Sequence, residues 1–244
     1  MGSKSTKSRE IFAQLLFFHL SIIRLISGFS LEMARGNTDL PIYVIFGRPG
    51  SGKSTVANAV MDQAALSKKT YFSSQQKNFI CNVADFHILD LDVCIPQWMK
   101  DNFNSGKYPT KKERVLFAEE ACNYVESCLA EDTRPGAVIS FSFVNTDLRD
   151  YFRARFENTV WFLIDSSEAL SEERISGRDG HFYKGKPIIS SEGECDSTQD
   201  VVENGDWNFA PVTFPHVKLD GKKSITANAR MIITKIVKDL QKLK

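Results

Sequence analysis

One segment constrains this chain more than any other: Gly47-Arg48-Pro49-Gly50-Ser51-Gly52-Lys53-Ser54-Thr55. It follows the apolar run Pro41-Ile42-Tyr43-Val44-Ile45-Phe46 and opens into Val56-Ala57-Asn58-Ala59-Val60-Met61. Strand, glycine loop and helix in that order form the setting in which G-x-x-x-x-G-K-S cradles the phosphates of a nucleotide. Glycines let the backbone curl so that successive N–H groups point at one anion. The N-terminus of the following helix adds its partial positive charge. The expectation is therefore that Gly47 to Thr55 bind a nucleotide's phosphates, with Lys53 reaching the β- and γ-phosphates and Ser54 holding Mg²⁺.

From Pro41 onward, apolar runs alternate with helical patterns. Strands are expected at Ile42–Phe46, Phe86–Asp92, Ala137–Ser142, Val160–Asp165 and Val217–Leu219. Helices are expected from Gly52 to about Ala65, from the capping box Thr110-Lys111-Lys112-Glu113 through Leu116, Phe117, Ala121, Tyr124, Val125 and Leu129, over Asp147–Arg155, after a Ser167 cap, and from Ser224 to near Leu243. Near-continuous apolar strands separated by helices mean a parallel sheet buried on both faces. Right-handed crossovers then force a three-layer, doubly wound α/β sandwich with a mostly parallel sheet of about five strands. Ligands in such a sheet sit beyond the carboxyl ends of its strands, which brings the glycine loop, Asp90, Asp92 and Ser142 to one rim.

Around the loop, two kinds of charge stand out. Asp90 and Asp92 close the second strand, and we expect them to divide, one toward the loop and metal, the other toward an acceptor pocket. A carboxylate beside the metal or an acceptor hydroxyl orients that hydroxyl and takes its proton. Arg174, Arg178, His181, Lys184 and Lys186 form a cationic cluster after the fourth strand, interspersed with Gly177, Gly180 and Gly185. A mobile basic segment of this kind can close over ATP and neutralise charge in the transition state. Ser191 to Asp206 reads as a polar, acidic, solvated insertion, with Phe209 and Phe214 beyond it as core. Lys111 and Lys112 read as a solvated helix face.

Several of these segments, in order, resemble the gluconate kinase family of small-molecule kinases, with shikimate kinases as cousins. Leu89-Asp90-Leu91-Asp92 is similar to the acid-ended second strand of both. Asn102 to Thr110 followed by Glu113-Arg114, Ser140-Phe141-Ser142, Leu148-Arg149-Asp150, Glu173-Arg174-Ile175 and Arg178-Asp179-Gly180-His181-Phe182 resemble further segments of the gluconate kinase pattern. The chain departs from that pattern at Asn145, which stands near a Lys of the family, and after Phe182. The resemblance implies ATP and Mg²⁺ as cofactors and transfer of the γ-phosphoryl group to a hydroxyl of a small polar metabolite. It implies Lys53, Asp92, Arg174 and Arg178 as catalytic residues and Ser54 and Asp90 at the metal. Asp90, Asp92, Arg114 and His181 would face the acceptor, Arg114 as a fork for an acceptor carboxylate.

A nucleoside or nucleotide kinase would share this architecture, and so would a nucleotide-binding module without catalysis. A GTPase switch would need a guanine-reading Asn-Lys-x-Asp, and the sequence contains none. A net charge of +1 over 244 residues provides no global field for nucleic acid or membrane. Five cysteines without a C-x-x-C pair read as thiols in a reducing compartment, so a cytoplasmic location is expected.

The start of the chain stands apart. Residues 1–37 are expected to be an N-terminal extension, and residues 38–244 the kinase domain, with a lid near 174–190 and the acidic insertion near 191–206. Ile11 to Leu31 is apolar behind Lys4, Lys7 and Arg9, the order of a targeting or anchor segment, yet His19 and Arg24 interrupt it. Met33 offers an alternative start. Stable membrane contact or an organellar location is expected only if this stretch is retained.

Overall fold

The computed structural model describes residues 40–67, 83–131, 133–177, 182–183, 185 and 208–242. The apolar stretch 11–31, Arg178, His181, Lys184, Lys186 and the acidic insertion lie outside the described residues. Five strands form one sheet: β1 (Ile42–Gly47), β2 (His87–Asp90), β3 (Ala137–Phe141), β4 (Thr159–Asp165) and β5 (Val217–Asp220). Their order is β2-β3-β1-β4-β5, and every pairing is parallel. β1 lies at the centre because it is the most apolar run, and all six of its residues are buried.

Helices cover both faces. α1 (Lys53–Ser67) and α6 (Ile225–Lys242) bury Val56, Val60, Ile232 and Ile236 against Tyr43, Ile45 and Phe162. On the other face, α3 (Lys111–Glu131) and α4 (Thr146–Arg155) bury Phe117, Val125, Leu148 and Phe152 against Val44, Phe46 and Trp161. Phe214 and Phe209 join this second layer, as expected of core residues. α2 (Gln97–Asn104) and α5 (Glu168–Ser176) complete the described helices. None of the described helices is long and apolar enough to cross a membrane.

Local signals hold at the helix starts. Thr110 and Glu113 form the reciprocal capping box: the Thr110 N–H donates to Glu113 Oε2 at 2.7 Å and the Glu113 N–H to Thr110 Oγ1 at 3.3 Å. Ser167 Oγ accepts from the Leu170 N–H at 3.3 Å and opens α5. Two expectations need correction. Of the apolar series along α3, Leu116 and Tyr124 are exposed, and the buried stripe runs at a spacing of four through Phe117, Ala121, Val125 and Leu129, with Ala118 and Cys122 beside it. The second strand ends at Asp90, not Asp92: Asp90 Oδ1 accepts the Asp92 N–H at 3.1 Å and caps a 3₁₀ turn, Leu91–Cys94. An Asp side chain that satisfies the backbone two residues on offers an alternative to the ladder.

Candidate functional site

The register places Gly47, Asp90, Phe141 and Asp165 at the carboxyl edge of the sheet, where the strand order switches around β1. A cavity of about 870 Å³ opens there. Pro49, Gly50, Gly52, Lys53, Ser54 and Thr55 form one end of it. Asp90, Asp92, the 3₁₀ turn, α2, the start of α3, Ser142, Val144, Phe182 and Tyr183 are among its other walls.

The loop at its phosphate end takes positive φ at three glycines, Gly47, Gly50 and Gly52, and at two of them a side chain would also have no room. Gly50 has φ +80°, and a Cβ there would lie 2.4 Å from the Ser171 carbonyl oxygen of α5. Gly47, at φ +154°, would put a Cβ 2.7 Å from the Ile164 carbonyl oxygen. The loop is thus wedged against β4 and α5, which fixes its curl. Lys53 is buried, and its Nζ donates to the Arg48 carbonyl at 2.9 Å across the loop. Ser51 Oγ is buried without a hydrogen-bond partner, whereas a Cβ on Gly52 would meet nothing within 4 Å. The loop therefore keeps a concave face open to the cavity, with an ammonium and backbone N–H groups around it, and these donors fit a phosphate chain. The Arg48 side chain turns the other way, 3.9 Å from Glu168 and over the Phe209 ring.

Both aspartates line the same cavity. In an uninterrupted strand, residues two apart share a face; the 3₁₀ turn instead wraps Asp92 around Asp90 while keeping both on the rim. The two carboxylates therefore share one cavity rather than opening into separate pockets. Asp90 and Ser54 are both at the wall, and among the described residues there is no cluster of three His, Cys, Asp or Glu side chains. One hydroxyl and one carboxylate match the way Mg²⁺ is usually held, with the remaining positions taken by water and substrate phosphates.

Arg114 lines the cavity but is already engaged. Its Nε and Nη2 donate to Asp147 Oδ2 at 2.9 and 2.8 Å, and its Nη1 to the Pro109 carbonyl at 2.8 Å. Its guanidinium lies 5.7 Å from the Tyr108 ring. The pair is largely buried, so the positive charge that a carboxylate would seek is matched from within the protein. Tyr108 in turn donates to Asn145 Oδ1.

Arg174 sits on α5 outside the cavity lining. Nη1 reaches the Ser51 carbonyl and Nη2 the Gly221 carbonyl, both at 3.4 Å, so it bridges the glycine loop and the turn after β5. α5 ends at Ser176, before Arg178.

One residue that sequence reasoning named only within a family-like segment, with no role of its own, is Arg149. It is 1% exposed and donates to the carbonyls of Phe143, Val144, Ala210 and Pro211 at 2.7–3.0 Å. Its guanidinium stacks 4.4 Å from the Phe209 ring. Burial lowers its pKa to about 10. It ties the 208–212 segment to the turn after β3, where Phe143 adopts φ +44° and Val144 lines the cavity. The signal available was an Arg at a helix position flanked by core residues Leu148 and Phe152.

No protein-family model matches the chain, and no curated protein is similar to it. Solved structures are similar in fold. A sugar kinase from Janibacter sp. superposes with a TM-score of 0.55 at 16% identity, over 80% of this chain and 93% of that one. A gluconokinase from Sinorhizobium meliloti gives 0.50 at 17% identity, over 83% and 95%. An APS kinase from Mycobacterium tuberculosis, in complex with AMPPNP and APS, gives 0.50 at 16%, over 81% and 97%. The chain has the fold of these P-loop kinases, a five-stranded parallel sheet between helical layers.

Proposed function

We propose that this protein is an ATP-dependent kinase that transfers the γ-phosphoryl group to a hydroxyl of a small polar metabolite. One observation carries the reading: a glycine loop with a buried lysine and two carboxylates faces a single cavity at the switch point of the sheet. The fold likeness to a sugar kinase, a gluconokinase and an APS kinase supports it.

In this reading the loop Gly47 to Thr55 binds the triphosphate of ATP through its N–H groups, and Lys53 exchanges the Arg48 carbonyl for phosphate oxygens. Ser54 and Asp90 hold Mg²⁺, which neutralises phosphate charge when bound. Asp92 orients the acceptor hydroxyl and takes its proton. The acceptor oxygen bonds to the γ-phosphorus, the bond from that phosphorus to the bridging oxygen of ADP breaks, and ADP leaves. Arg174 positions the loop through the Ser51 carbonyl. Arg178 and His181 would close from the segment after α5. Arg114, held by Asp147, acts chiefly as part of the acceptor wall.

The test is Lys53→Ala, assayed by ADP release with a panel of hydroxylated metabolites. Phosphoryl transfer should fall by orders of magnitude, about 10³-fold or more, because the lysine's charge acts on the transferring group. A variant with full turnover would sink the mechanism.

A further inference from the structure

Part of the cavity lining is made of rings. Phe103, at the end of α2, is its hub, with ring centroids 6.0 Å from Tyr108, 5.9 Å from Phe182 and 5.9 Å from Tyr183. Lys100, one turn back on the same helix, holds its ammonium 5.8 Å from the Phe182 centroid. All five side chains line the cavity, over a floor that includes Met99. Burial pushes the Tyr183 hydroxyl up to about 12, so this wall carries no phenolate at neutral pH.

Two polar groups along the wall are matched within the protein, while the Lys100 ammonium lies over the Phe182 ring. Arg114 is neutralised by Asp147, and the Tyr108 hydroxyl bonds Asn145. A polyhydroxy acid entering here would leave water with four or five hydroxyls and a carboxylate, each needing a new partner. Sites that recognise such groups present unmatched donors and acceptors to them. Beside the Lys100 ammonium, this wall presents the aromatic cluster of Phe103, Tyr108, Phe182 and Tyr183, and a planar aromatic system packs against rings with little penalty.

We infer that the acceptor is a ring-bearing alcohol of the nucleoside kind. Its planar ring lies against Phe103 and Phe182, and a hydroxyl on its saturated part reaches Asp92. The inference rests on the kinase reading above and narrows its acceptor.

Binding is the primary test, because it does not depend on turnover. Full-length protein saturated with AMPPNP and Mg²⁺, so that the nucleotide end is filled, is titrated calorimetrically with adenosine, cytidine, pyridoxine, D-gluconate and shikimate. At least one nucleoside should bind ten-fold or more tightly than either acid. Phe103→Leu and, separately, Phe182→Leu should each weaken that nucleoside about ten-fold while AMPPNP affinity stays unchanged. Tighter binding of D-gluconate or shikimate, no binding of any ring compound, or ring binding indifferent to both substitutions overturns the inference. Pyridoxine binding ahead of both nucleosides keeps the ring but overturns the nucleoside assignment. ADP release with the same compounds judges the kinase reading separately. A nucleoside that binds through Phe103 yet releases no ADP would refute transfer to it, and leave the ring site standing.

Discussion

The buried pair Arg114–Asp147 allows a quantitative test of what stabilises the acceptor wall. Asp147→Ala removes the carboxylate and leaves a guanidinium that is 9% exposed without its counter-charge. With N···O distances of 2.8 and 2.9 Å, the charge centres are about 4 Å apart, and an effective dielectric constant of about 20 gives an attraction of about 4 kcal/mol. Breaking a buried pair by deleting one partner costs a similar 3–5 kcal/mol. Asp147 retains 18% exposure, and water can enter when it is truncated, so we expect about 3 kcal/mol. That would lower Tm by roughly 6–12 °C for a chain of this size. Asp147→Asn keeps an oxygen for the Leu148 N–H, which Oδ1 now accepts at 2.9 Å, and so isolates the charge. The assay is urea unfolding followed by the fluorescence of buried Trp161, with Arg114→Met and the double variant completing a cycle. Arg114→Met should cost less than Asp147→Ala, because the carboxylate it strands is the more hydrated partner. A loss below 1 kcal/mol for Asp147→Ala, or additive single losses in the double variant, would refute the pair as a coupled, desolvated element and restore Arg114 as a free fork for an acceptor carboxylate.

Three further outcomes are expected. Gly50→Ala forces φ +80° on an L-residue and drives a Cβ into the Ser171 carbonyl, so it should cost about 2 kcal/mol or more and abolish AMPPNP binding in calorimetry; unchanged affinity would contradict the wedged loop. Arg149→Lys replaces a fork reaching four carbonyls by a point donor with three hydrogens and should destabilise by about 2–3 kcal/mol in thermal unfolding, with less than 0.5 kcal/mol showing that the guanidinium is not a tie. Cys94 and Cys122 have thiol pKa values raised from 9.0 to about 12, mainly by burial, so both stay protonated in the folded chain at pH 8 and should alkylate with iodoacetamide far more slowly than in urea. Because the folded pKa lies above the unfolded one, their contribution to stability is complete below pH 9 and is lost as pH rises from 9 toward 12; equal alkylation rates folded and unfolded would refute the burial.

What the sequence determined by itself was whatever lies within one stretch of chain. The phosphate loop announces itself because its glycines, Lys53 and Ser54 must sit at set spacings between a strand and a helix. The five apolar runs, the Thr110–Glu113 box and the Ser167 cap were legible for the same reason: each is a contact between residues at most a few positions apart, written as a local pattern. The parallel sheet followed from runs too apolar for one exposed face.

Tertiary structure alone decided which side chains are available to a ligand. Arg114 read as a free fork until α4 brought Asp147, 33 positions on, to its guanidinium. Arg149 gave no sign that carbonyls 61 and 62 residues away would take its hydrogens. The Asp90–Asp92 pair changed meaning when a single side-chain hydrogen bond traded the last two strand residues for a 3₁₀ turn. The ring wall arises where α2 meets the segment at Phe182, from residues scattered along the chain. Desolvation and charge matching depend on neighbours delivered by the fold, and no spacing in the sequence encodes them.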